Sequence, residues 1–90
     1  MIRQTPNDPY ALALAALAAS LTDERRAQRF LDLTGIETGE LRARASDPAL
    51  LVALITFLEA HEPDLLSVCE AIGVKADALV AARRQIEGAE

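Results

Sequence analysis

Few side chains here could serve as acid, base, nucleophile or metal ligand. Each stands apart from the partners its chemistry needs. His61 is the single histidine. With Glu62 it opens like a zinc-protease helix, but that motif needs a second histidine one turn on, and none follows. No set of three or four ligands for a structural metal exists either. His61 instead reads as a cation near the end of a helix, where the dipole favours it. Cys69 is the single cysteine. A thiol becomes a nucleophile only beside a base or positive charge that lowers its pKa. Cys69 falls on the apolar face of a helix, next to Gly73, and reads as a small buried hydrophobe. Glu59, Glu62 and Asp64 gather around a proline turn. Paired carboxylates do acid–base work only when their surroundings push their pKa values apart, and these three read as solvated. No glycine-rich phosphate loop, nucleophile elbow or kinase signature is present. The expectation is a protein that is not an enzyme and takes no cofactor or metal.

Arginine is the one polar residue type with a pattern. Arg25, Arg26, Arg29, Arg42 and Arg44 place five of the nine basic residues within twenty positions. Asp23, Glu24, Asp32, Glu37 and Glu40 are interspersed among them. Glu40 and Arg44 stand in the i,i+4 order that supports a helix. The cluster has two readings: a solvated, self-neutralised face, or a contact surface for an acidic partner, since arginine is favoured at interfaces. The five arginines are the candidate partner contacts.

The segment SVCEAIGVKADALVAARR, residues 67–84, resembles a helix–turn–helix. Gly73 would be the turn, Val74 the apolar residue after it, Cys69 the small residue at the helix crossing and Leu79 the anchor of the second helix. Such a motif sends its second helix into the major groove with polar side chains toward the bases. Here that helix opens Ala76-Asp77-Ala78, which offers bases little. Lys75, Arg83 and Arg84 could meet phosphates, but Asp77 opposes them. DNA binding is therefore the alternative, not the leading reading.

These residues must be positioned by helices. Of the 90 residues 51% are apolar and only 3% aromatic, so the core is built of Ala, Leu, Ile and Val. Alanine and leucine favour helix over strand. Asp8-Pro9 and Asp47-Pro48 each read as an N-cap followed by proline at the first helical position. Thr22 can cap a helix beginning at Asp23. Pro63 starts another, with Asp64 in its first turn. Gly35 and Gly73 read as left-handed helix stops, after which Ile36 and Val74 fold back onto Leu31 and Cys69. Six helices follow, at 9–20, 23–34, 38–45, 48–60, 63–72 and 76–87. The second would bury Ala27, Phe30 and Leu33. The fifth would bury Leu65, Val68, Cys69 and Ile72, and the sixth Leu79, Ala82 and Ile86. The first and fourth are apolar nearly all round and read as the central, covered pair.

The same phrasing occurs twice. Gly35, Ile36 and Leu41 recur as Gly73, Val74 and Leu79, 38 residues later. The Asp-Pro starts recur at an offset of 39. The chain reads as two units of three helices closing on each other into an all-α bundle, since two copies are too few for a solenoid. Residues 8–87 form this single domain, with tails at 1–7 and 88–90.

The net charge is −5, all of it in residues 46–90, because acids and bases balance in residues 1–45. That field disfavours nucleic acid and anionic membranes. The apolar runs are too short to span a bilayer. The run ALALAALAAS, residues 11–20, mimics a secretion signal, but its leader carries Asp8 as well as Arg3. A lone cysteine suits a reducing compartment, so the expected location is the cytoplasm.

The layout as a whole resembles a bacterial family of short helical proteins, the domain of unknown function numbered thirty-five seventy-two. The shared features are Arg29-Phe30-Leu31, Leu33-Thr34-Gly35-Ile36, Glu40-Leu41-Arg42, Asp47-Pro48-Ala49-Leu50-Leu51, Phe57-Leu58, Leu65-Leu66 and Gly73, over residues 8–86. The resemblance implies a small all-α bacterial protein. It carries no activity and no site residues. The leading expectation is a cytoplasmic module that binds another protein, or a second copy of itself, through apolar surface left over after folding.

Overall fold

Helix-forming segments punctuated by Asp-Pro and glycine give helices, and no strand, among residues 8–89, which the computed structural model describes. The helices are α1 (Pro9–Ser20), α2 (Glu24–Thr34), α3 (Thr38–Ala43), α4 (Pro48–Glu59), α5 (Glu62–Ile72) and α6 (Ala76–Ala89). The expected tail at 1–7 lies outside the described residues. At the other end α6 runs on through Gly88 to Ala89, two residues beyond its expected stop.

Local chemistry sets the boundaries. The Asp8 and Asp47 carboxylates accept hydrogen bonds from the backbone N–H groups of Tyr10 and Ala49, each at 2.9 Å. Each cap is followed by proline at the start of its helix. At α2 the cap is Asp23, not Thr22. Its Oδ1 accepts from the N–H groups of Arg25 and Arg26 at 3.0 and 3.1 Å. The Thr22 hydroxyl turns back and donates to the Ala19 carbonyl at 2.7 Å, satisfying the end of α1 rather than the start of α2. His61 is the N-cap residue of α5 rather than the end of α4, and Pro63 takes the second helical position. Gly35 and Gly73 end α2 and α5 at φ 74° and 76°. The Gly35 N–H donates to Leu31 and the Val74 N–H to Cys69, as the left-handed stop requires. Ile36 and Val74 then tuck against the core.

Four helices, α1, α4, α5 and α6, form the body, and each packs against the other three. Buried Leu50, Leu54, Ile55 and Leu58 of α4 meet Leu12 and Leu17 of α1, Val68 of α5, and Leu79 and Ile86 of α6 in one cluster. Helices 1 and 4 are central, as their composition predicts. α2 and α3 lie at the periphery, and each buries one large apolar side chain, Phe30 and Leu41. Phe30 meets Phe57 edge to face at 5.3 Å, an arrangement worth about 1 kcal/mol beyond area burial. The Cα radius of gyration is 12.4 Å, against about 12 Å for a compact chain of this length.

Two expectations about faces need correction. The buried face of α2 is Arg26 and Phe30, while Leu33 is 71% exposed. α1 is central yet uncovered on one side, where Ala11, Leu14, Ala18 and Leu21 reach solvent. The two halves repeat in part. α1 and α4 have 12 residues each and α2 and α5 have 11, but α3 has 6 against 14 for α6.

Candidate functional site

The five arginines separate by what they touch. Arg26 is buried, and its Nε donates to Asp64 Oδ1 at 3.1 Å. Arg29 Nη2 donates to the other oxygen of the same carboxylate, and its guanidinium lies 5.6 Å from the centre of the Phe57 ring, within cation–π range. His61 Nε2 stands 4.0 Å from Asp64 Oδ2. Asp64 is thus a buried fastener between α2 and α5, not a solvated acid. Arg44 bridges α3 to the start of α4, with Nη2 3.0 Å from Asp47 Oδ2 and Nη1 3.8 Å from Glu40 Oε2. Three of the five arginines are therefore taken up in joining helices. Arg25 and Arg42 are exposed, and neither forms an ion pair among the described residues.

These two arginines flank one groove. Between α1 and α3 lies an open cavity of about 310 Å³. Buried Leu17 and Leu41 form its floor, and Leu14, Ala18, Leu21 and Ala45 line its sides. Among the described residues Thr38 and Arg42 are its only polar lining. It continues past Leu21 and Leu41 toward α2, where Glu24 and Arg25 stand beside Ala27 and Leu31. Leu14 is 42% exposed and Leu21 36%. This part of the groove sits at the lower limit of volume for small-molecule sites, and its continuation adds Glu24, Arg25 and Gln28 as polar lining. The channel is thus apolar along its floor and sides, with Arg42, Arg25 and Glu24 at its edges.

The groove exists because of where the chain places small residues. The exposed stripe Ala11, Leu14, Ala18 and Leu21 alternates small with large along α1 and its C-cap, and its last three members line the groove. The six-residue α3 covers only part of it. The continuous apolarity of α1 was the signal in the sequence. A helix without a polar face must either be fully enclosed or expose apolar surface, and this one does the latter.

The other singled-out residues fall elsewhere. Cys69 is buried, and desolvation, aided by the nearby negative charge of Asp77, pushes its thiol pKa up. Arg83 in α6 bridges to Glu59 of α4, with Nη2 3.2 Å from Oε1, and to Glu87 at 2.7 Å. Its pKa is raised, chiefly by the hydrogen bond to Glu59. Among the described residues no three His, Cys, Asp or Glu side chains are grouped to hold a metal, and no helix is long and apolar enough to cross a membrane.

A family model described as "Protein of unknown function (DUF3572)" matches residues 6–89. No curated protein and no solved structure matches the chain.

Proposed function

The chain belongs to the DUF3572 family of proteins of unknown function, and from that premise we propose that it is a non-enzymatic module that binds a protein partner in the α1–α3 groove. The observation that carries this reading is the pairing of exposed Leu14 and Leu21 with Arg25 and Arg42 at the edge. Exposed apolar surface costs free energy that a partner recovers, and arginine is favoured at such edges. Arg26, Arg29 and Arg44 hold the fold together and are not contacts in this reading. A bacterial, cytoplasmic setting belongs to the same proposal, and the lone buried thiol suits a reducing compartment. DNA binding through α5 and α6 has less support, because Arg83 is engaged by two glutamates and Asp77 stands in the first turn of α6.

The test is a photo-reactive amino acid placed at Leu14 in the native cell, with exposed Ser67 on α5 as the control position. Discrete protein adducts at position 14, absent at 67 and lost in an Arg25→Glu/Arg42→Glu background, are the expected result. Both substitutions fall on exposed residues that form no ion pair among the described residues, and should change stability by less than about 0.5 kcal/mol. Equal, diffuse labelling at both positions would overturn the reading.

A further inference from the structure

We infer that the occupant of the groove is α1 of a second copy of this chain, packed antiparallel in a two-fold symmetric dimer. The inference rests on the protein-binding reading above and names its partner. Ala11, Leu14, Ala18 and Leu21 follow the spacing of three, four and three that marks a helix–helix seam, and all four are exposed. Antiparallel pairing about the middle of this stripe sets Leu14 opposite Ala18 of the second copy and Leu21 opposite Ala11. Each large side chain then faces a small one, the alternation that lets facing helices interdigitate. Parallel pairing would set leucine against leucine and alanine against alanine. The charges agree. No ionisable group except Tyr10 lies between Pro9 and Leu21, so nothing along the seam repels its own copy. Beyond its ends stand Asp8 on one side and Asp23, Glu24 and Arg25 on the other, with neither Asp8 nor Arg25 ion-paired among the described residues. Reversal brings Asp8 of one copy to the end of the other that carries Asp23, Glu24 and Arg25, a mixed group in which Arg25 is the attracting member. A two-fold interface uses the same patch on both copies and closes at two. Each α1 then lies against both α1 and α3 of its partner and fills both grooves at once.

Sedimentation equilibrium over a range of concentrations tests the dimer. The full chain should fit a monomer–dimer equilibrium. Leu14→Glu should raise the dissociation constant at least tenfold while leaving the helical circular dichroism unchanged. Should Leu14→Glu prove unfolded, Ala18→Gln serves as the second variant, because it adds a polar side chain on the solvent side of the same stripe. Register is tested by mixing a Leu14→Cys copy with an Ala18→Cys copy under mild oxidation, with Cys69 buried and silent. Mixed disulfides should form faster than those between two identical copies. A full chain that stays monomeric, a dimer indifferent to both stripe variants, or preferred disulfides between identical copies would each overturn the inference. The protein-binding reading is scored separately: adducts at position 14 that contain only other proteins leave it standing without the dimer, and no discrete adducts remove both.

Discussion

Asp64 does at the residue level what apolar packing does elsewhere. It draws Arg26 inward, and with it the turn of α2 that carries Phe30, so Leu33 is rotated out to solvent. A buried charge without its partner is costly, whereas a buried pair replaced by apolar groups can be nearly neutral. Asp64→Ala should therefore destabilise by about 3 kcal/mol, while Arg26→Met/Asp64→Leu should cost much less. Chemical denaturation of the single and double variants measures the difference. A double variant as unstable as Asp64→Ala would show that the pair is more than a fastener. The sequence placed Cys69 correctly inside and Arg44 beside Glu40, because both follow from helical spacing. It could not reveal the role of Asp64, whose partners lie 38 and 35 positions away in another helix. No local pattern encodes such a contact.

At the level of the element, the helices were almost wholly legible, because their ends depend on short-range chemistry. Asp-Pro starts and glycine stops act within one turn, and those at Asp8, Asp47, Gly35 and Gly73 stand where the spacing puts them. The start of α2 was less clear, since adjacent Thr22 and Asp23 can both cap and only the three-dimensional path shows which does. The glycines give a sharp contrast. A side chain added at Gly35 or Gly73 would meet nothing within 4 Å, so any cost comes from the left-handed backbone alone. Gly35→Ala and Gly73→Ala should each destabilise by about 1 kcal/mol. Gly39, inside α3 with ordinary helical φ and equally open space, should gain up to about 1 kcal/mol on Gly39→Ala. Thermal melts of the three variants check the signs, and a Gly35→Ala melt at or above the parent midpoint would contradict the left-handed stop.

Across the whole molecule, two caps give stability a direction with pH. Asp23 has its carboxyl held below the usual 3.8 chiefly by the backbone N–H of Arg26. For Asp47 the main cause is the N–H of Ala49, followed by the Arg44 guanidinium. Folded values below unfolded ones mean that this stabilisation is complete above the unfolded value and lost as pH falls through the folded one. The thermal midpoint should be flat above about pH 5 and decline below about pH 4. Asp23→Asn/Asp47→Asn keeps the cap acceptors but not their titration, so its acid decline should be shallower; an unchanged slope would place the acid sensitivity elsewhere. The bundle and its central pair were readable from composition and periodicity. The groove was not, because it depends on how far a peripheral helix reaches over α1. That reach is a matter of length. At 1.5 Å per residue, α6 is a rod of about 21 Å and α3, its counterpart in the first half, only about 9 Å. The two third helices therefore differ by about 12 Å of roofing beam. The short beam leaves an unroofed bay beside α1, lined by Leu14, Ala18 and Leu21.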